Sequence, residues 1–310
     1  MKPAGSIVFF TTASGAGYGM LFWLGVLGAL GMLPETIGFG LIALGLATAL
    51  FTAGLLSSTA HLGHPERAWR ALSQWRSSWL SREGVAALLT YVPVLVFGLL
   101  WLLGSRPVAL LGLLGAVGAA ITVYCTAMIY ASLKPIRQWN HGLVPAFYLI
   151  AAGFSGALCL AAVTAFFDVT AAGRLAVLAL ALGAGGIAVK LAYWQAIDGS
   201  VSASTPESAT GLGSIGKVRS FEAPHTEENY LLKEMGFRIA RKHAAKLRVY
   251  AALLGFGVPL AMLVGVAAGA VPVAVLILAA ACGLLGMLLE RWLFFAEATH
   301  TVVLFYGRQA

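Results

Sequence analysis

Charge is what this sequence has least of. Only 10% of its 310 residues are Asp, Glu, Lys or Arg, and the acids number just twelve. Soluble globular proteins carry about 25% charged residues, so a water-soluble enzyme is excluded. Cysteine is almost absent too. Cys125, Cys159 and Cys282 sit inside apolar runs without Cys-x-x-Cys spacing, which leaves no cysteine-held iron–sulfur cluster or structural zinc for this chain to build. They read as packing residues. No phosphate-cradling glycine loop, His-Glu-x-x-His pair or nucleophile motif occurs. The sequence therefore offers no catalytic residue and no metal site of its own. Of six histidines only His300 falls where it could lie deep, and a membrane b-type haem needs two facing axial histidines. No haem is expected.

Apolar residues fill the space that charge leaves. They make up 60% of the chain, with mean hydropathy +0.88, which excludes intrinsic disorder. The apolar runs are continuous rather than alternating, so a transmembrane β-barrel is disfavoured. At roughly 20 apolar residues per spanning helix, the expected fold is all-α: a single polytopic membrane domain built as a bundle of eight transmembrane helices. The predicted spans are 8–32, 36–58, 84–104, 108–131, 143–167, 175–196, 249–270 and 272–296. Met1-Lys2-Pro3 is not followed by a short apolar core and a small-residue cleavage site, so the first run reads as an uncleaved span.

The connections alternate in charge. The side holding both termini receives sixteen Lys and Arg, whereas the opposite side receives only Arg106 and Arg174. By the positive-inside rule both termini are predicted to be cytoplasmic, in a bacterial inner membrane. The net charge of +8 follows from that bias and does not imply nucleic acid. The one long connection, 197–248, begins as a Ser/Thr/Gly-rich loop and then acquires a helical period from Thr226 to Leu247. That stretch suits either an amphipathic helix on anionic lipid or a docking platform for a soluble subunit.

Polar and aromatic residues concentrate between His61 and Gly84, with three of the eight Trp, four of the twenty basic residues and two of the six His. An interfacial belt accounts for Trp75, Trp79 and several arginines. It accounts less well for His61 and Glu83, each at the edge of an apolar run where the side chain can turn inward. A quinone headgroup needs a pocket reachable from lipid, hydrogen bonds to its oxygens and a route for protons. Histidine donates or accepts in the useful pH range, and a neighbouring carboxylate orients it or relays a proton. Ionisable residues within a membrane are functional candidates by default. His61 and Glu83 are the leading quinone-binding candidates, with His64, Arg67 and Arg76 as further lining; His64 before Pro65 also suits a turn cap. Arg70, Arg82, Arg137, Arg241 and Lys242 are candidates for docking a soluble partner. Tyr130, Lys134, Arg137 and His141 read mainly as interface anchors, Lys190 as a snorkelling lysine and Asp198 as the end of span six. Glu290 and Arg291 either end the last span or pair within a longer helix. Glu297 and His300 suit an interfacial C-terminal helix.

These residues carry a family resemblance. His61-Leu62-Gly63-His64-Pro65-Glu66-Arg67-Ala68-Trp69, followed by Ser78-Trp79-Leu80-Ser81-Arg82-Glu83, resembles the membrane-anchor subunit of DMSO reductase-type molybdoenzymes, the DmsC type. Pro224-His225-Thr226, Asn229-Tyr230-Leu231, Glu234-Met235-Gly236 and Ala240-Arg241-Lys242-His243-Ala244 resemble the same group. The resemblance implies an anchor without haem that exchanges electrons with ubiquinone or menaquinone. It implies two partners: a ferredoxin-like subunit with four iron–sulfur clusters and a catalytic subunit holding the molybdenum cofactor. The family's quinol-site histidine falls on His61 and its acidic companion on Glu83.

Orientation divides the family. In DMSO reductase-type anchors the histidine loop faces the periplasm, whereas here it carries four arginines and is predicted cytoplasmic. That arrangement fits the related quinone-dependent sulfite dehydrogenases better, where sulfite oxidised to sulfate sends electrons to quinone. A DMSO or N-oxide reductase anchor oxidising quinol is the alternative within the family. A small-solute or anion transporter is the alternative from another class. It is supported by eight spans and 37 glycines but not by matching broken helices in two halves. A purely structural anchor is the third.

Overall fold

A computed structural model describes residues 3–59, 62–104, 107–199, 204–219, 221–222 and 243–306. His61, Arg241, Lys242 and the 224–236 motifs lie outside the described residues. The all-α membrane expectation holds: among the described residues eight helices are long and apolar enough to span a bilayer. They are α1 (Gly5–Ala29), α2 (Ile37–Thr59), α3 (Trp79–Gly104), α4 (Ala109–Ala131), α5 (Leu143–Thr164), α6 (Val169–Gly199), α7 (Ala244–Ala267) and α8 (Val275–Ala296). Continuous apolar runs fold this way because lipid offers backbone groups no partner, so each helix satisfies its own.

Two helices form the centre. Across their spanning windows α1 and α5 are each 72% buried, against 28% for α3. Small residues set how closely they meet. A side chain on Gly19 of α1 would overlap the Ala152 carbonyl of α5, and one on Gly156 would overlap the Gly19 backbone. Such small-residue crossings replace the hydrophobic drive that lipid removes.

The turns at the end opposite the N-terminus are tight. Gly31 (φ 65°) follows α1 and Gly269 (φ 68°) follows α7, both in the left-handed region that glycine adopts without strain. Met32 N–H then donates to Leu27 O at 2.9 Å, and Ala270 N–H to Gly265 O at 2.9 Å. At the other end the connections are longer and polar. The Ser57 hydroxyl, near the end of α2, donates to Ser6 O at the start of α1 over 3.0 Å.

Three elements depart from the sequence expectation. Span six begins at Val169 rather than 175, because the Asp168 carboxylate accepts from the N–H groups of Thr170 (2.8 Å) and Ala171 (2.9 Å) and starts the helix early. Arg174 is therefore helical. Span three begins at Trp79, which puts Glu83 a full turn inside α3. Span seven contains a π turn at Leu253–Gly257 just before Pro259. That wider turn accommodates a residue with no N–H to give to an ordinary helical ladder.

Candidate functional site

The segment between α2 and α3 forms a 3₁₀ helix, Pro65–Gln74, with no buried residue. Proline at its first position and Glu66 in its first turn suit that start. Two residues of α3 hold it down. The Ser81 hydroxyl donates to Ala71 O. Arg82 donates to Trp75 O (Nε, 3.0 Å) and Arg76 O (Nη2, 2.7 Å) while lying 4.3 Å over the Trp79 ring. Arg82, a docking candidate by sequence, is thus committed to clasping the loop.

Beneath this strap lies a cavity of about 680 Å³. Its apolar walls come from Phe10 of α1, Leu55 of α2 and Ile129 of α4, and its polar groups from Glu83, His64 and Arg67. Glu83 is 5% exposed. Among the described residues its hydrogen-bonding side chain is Thr126 of α4, whose hydroxyl donates to Oε1. Thr126 also reaches Thr122 O at 3.0 Å. One hydroxyl hydrogen faces two acceptors, so the carboxyl is held by a partner that can release it. Thr59 and Leu62, the described residues flanking 60–61, both line the same cavity.

The remaining candidates separate. His64 and Arg67 stand at the exposed rim, paired with Glu66: His64 Nδ1 is 3.0 Å and Arg67 Nε 3.6 Å from Glu66 Oε1. Exposed pairs of this kind add little stability, which leaves both side chains free to turn toward a ligand. Although His64 precedes the 3₁₀ helix, its side chain makes no capping bond. Arg76 is not among the lining residues; it is exposed, with its guanidinium 5.5 Å over Trp75. Arg70 is likewise exposed, 5.6 Å over Trp69. Arg137 donates to Ile197 O at 3.3 Å and ties the α4–α5 connection to the end of α6.

Several side chains sit elsewhere than the sequence suggests. Tyr130 is no interface anchor; it is buried against Trp139, Tyr148, Phe294 and Phe295 and lines the cavity. Lys190 does not snorkel. It is 3% exposed and pairs with Glu290 of α8. Asp198 does more than end a helix, since it binds Arg248 at 2.5 Å. For Glu290 and Arg291 the second of the two sequence readings holds: they pair inside α8, with Arg291 Nε 2.5 Å from Glu290 Oε2. His300 is not deep: its backbone bridges to Ile136, and partial burial lowers its imidazole from the usual range. Thr126 escapes sequence reading, because nothing in an apolar run marks which threonine faces a neighbouring carboxyl.

A larger groove of about 730 Å³ runs between α3 and α4, walled by Leu89, Val92, Pro93, Leu114 and Val117. Its walls suit acyl or isoprenoid chains. The candidate residues Glu83, His64 and Arg67 line the cavity beneath the strap, and Arg82 borders this groove.

An eight-helix membrane protein with a carboxyl-bearing cavity under its polar loop is the class that fold and site define. Over residues 3–308 the sequence matches the family described as DMSO reductase anchor subunit (DmsC). The chain belongs to that family of anchor subunits. It is also 31% identical to a sulfite dehydrogenase subunit from Allochromatium vinosum over 326 aligned positions, covering 99% of each chain.

Proposed function

We propose that this chain is the quinone-reactive anchor of a molybdoenzyme complex that oxidises sulfite to sulfate on the cytoplasmic side of a bacterial inner membrane. The observation that carries the reading is the cavity itself: apolar walls, a buried Glu83 with an exchangeable hydroxyl partner, and a rim of His64 and Arg67. Its volume lies within the range of small-molecule sites, about 300–1,000 Å³, and the combination fits a quinone headgroup, which is apolar around its ring and accepts hydrogen bonds at two oxygens. Bound there, quinone supplies the two-electron, two-proton couple.

The chain's residues then have defined roles. His61 donates a hydrogen bond to one quinone oxygen and accepts or returns its proton. Glu83 holds the second proton beside Thr126. Arg67 fixes the headgroup at the rim. Electrons arrive from a four-cluster iron–sulfur subunit seated over the 3₁₀ strap, where exposed Trp69, Trp75 and Arg70 present a mixed aromatic and basic surface. A molybdenum-bearing catalytic subunit lies beyond it. Arg241 and Lys242, outside the described residues, are further docking candidates, and no haem is needed.

Sulfite as substrate is supported by the Allochromatium relative and by the sixteen-to-two distribution of basic residues, which favours a cytoplasmic strap. A periplasmic strap would instead favour the DMSO or N-oxide reductase reading. Membership in an anchor-subunit family disfavours the transporter reading.

His61→Ala and Glu83→Gln, made in the assembled complex, test the site. Each is expected to lower quinone-linked sulfite oxidation by about a hundredfold, the usual scale of a lost acid–base group, while dye-linked oxidation by the catalytic subunit persists. Unchanged quinone reduction in both variants would overturn the assignment.

A further inference from the structure

The most heavily charged part of the interior lies outside the quinone cavity. Lys190 of α6 and Arg291 of α8 both pair with Glu290, and the three side chains are 4%, 4% and 1% exposed. Two cations and one anion leave a surplus positive charge. Aromatic faces surround it: Lys190 Nζ lies 4.7 Å from the Phe147 centroid and 4.5 Å from Tyr193, and Arg291 Cζ lies 4.0 Å from Tyr148. Such faces offset part of the desolvation cost. Most of the penalty for taking ions out of water remains. An arrangement this costly, deep in a bundle whose core is mostly apolar, calls for a use.

Between this cluster and Glu83 lies a chamber of about 30 Å³, lined by Thr12 and Ser14 of α1, Thr126 of α4, Tyr148 and Ser155 of α5, and Arg291. A cavity needs roughly 10–15 Å³ to hold a water, with two to four polar partners. The polar groups match that requirement in kind as well as number. Thr12, Ser14 and Ser155 spend their hydrogens on helix carbonyls at 2.9, 2.6 and 2.7 Å, so their oxygens remain as acceptors. Tyr148 Oη and Arg291 Nη2 are buried, make no hydrogen bond of good geometry among the described residues, and interact with one another. Arg291 Nη2 supplies donors and the hydroxyls supply acceptors, which is the set that an ordered water satisfies. Thr126 forms the chamber wall on one side and holds Glu83 on the other.

At its far side the cluster approaches the surface. Arg248 of α7 binds Asp198 at 2.5 Å and Glu297 at 2.7 Å, with the Asp198 side chain 59% exposed and that of Glu297 9% exposed. Arg248 Cζ and Lys190 Nζ both lie over the Trp194 ring, at 5.4 and 5.2 Å. Burial pushes the Glu297 carboxyl above its usual range, against the pull of Arg248.

We propose that the chamber holds ordered water and, with Thr126 and the Lys190–Glu290–Arg291 cluster, forms an internal proton path from the Asp198–Arg248–Glu297 face to Glu83. The inference rests on the quinone reading of the neighbouring cavity. For each proton delivered, Glu83 gives its carboxyl proton to the reduced quinone oxygen. Thr126 then passes its hydroxyl proton to the Glu83 carboxylate and takes one from the chamber water. The hydroxide left there takes its proton from Lys190 by way of the Glu290 carboxylate, Lys190 is reprotonated from the Glu297 carboxyl at the exposed face, and Arg291 stays charged throughout. The electrons come from the iron–sulfur partner. The surplus positive charge lowers the proton affinity of the chamber groups, so a proton entering the path is passed on rather than stored.

The test uses the assembled complex carrying Ser155→Val, which fills the chamber and removes an acceptor, and separately Tyr148→Phe and Thr12→Val, which change little volume. The expected result for Ser155→Val is a loss of quinone-linked turnover of about tenfold or more, with a larger solvent deuterium isotope effect and an unchanged KM for quinone. Tyr148→Phe and Thr12→Val are expected to shift both quantities in the same direction. Dye-linked activity reports assembly, and if Ser155→Val fails to assemble, the two conservative variants carry the test. Assembled variants with wild-type turnover and isotope effect would overturn the path. Glu83→Gln separates the two levels: if it silences quinone reduction while the chamber variants do not, only the path fails. If Glu83→Gln is itself active, the quinone site fails first.

Discussion

Glu290 is the residue on which the interior charge balance turns, since both Lys190 and Arg291 depend on it. Glu290→Ala leaves two buried cations without a carboxylate. It should cost about 3–5 kcal/mol, the usual penalty for stripping one partner from a buried pair. Replacing Lys190, Glu290 and Arg291 together with apolar residues of similar volume should cost far less. Thermal unfolding of the detergent-solubilised protein checks both, and a mild effect of Glu290→Ala would show that the cluster is hydrated from outside. How far such residues are legible in sequence depends on what decides them. Glu83 is legible because a carboxylate at the edge of an apolar run has few cheap places to go. Thr126 is not, because a mid-helix threonine bonds its own preceding turn, here Thr122, whichever way it faces. Lys190 misleads because snorkelling needs a free route to the interface. The aromatic side chains of Phe147, Tyr193 and Trp194 pack around it, and Glu290 gives it a partner inside.

At the level of elements, the helices are visible from hydropathy and their contacts are not. Period and length mark an apolar run as a span. Which faces meet is set by glycines whose role appears only when another backbone passes over them. Gly156 of α5 is the clearest instance, lying against the Gly19–Met20 backbone of α1. Gly156→Val should separate the two central helices and destabilise the bundle by at least the 1–3 kcal/mol typical of overpacking, seen as a fall in the unfolding temperature of the purified protein. Unaltered stability would mean that α1 and α5 pack less closely than described. The strap between α2 and α3 shows the opposite limit. Its composition announces an interface and a site, but its 3₁₀ form and the clasp by Ser81 and Arg82 depend on backbone carbonyls that sequence does not display. Hence Arg82, whose charge suggests a docking residue, serves the loop's shape.

For the whole molecule, charge and cavity point to the same end. The cavity, the strap and the Arg248 ion pairs lie at the end of the bundle that carries the N-terminus and the long polar connections, and the chamber reaches from there toward the middle of α1 and α5. The basic asymmetry that predicts a cytoplasmic location for that end also concentrates exposed aromatic and basic side chains at the surface proposed to receive a soluble electron donor. An anchor that couples such a donor to quinone is tested most directly by purifying the tagged chain in mild detergent from cells that make it at native levels. Co-purifying subunits would be identified by mass, iron and molybdenum quantified, and sulfite-dependent quinone reduction measured on the same sample. Stoichiometric iron–sulfur and molybdenum partners and sulfite-driven quinone reduction are the predicted result. A chain that purifies alone and free of both metals would contradict it.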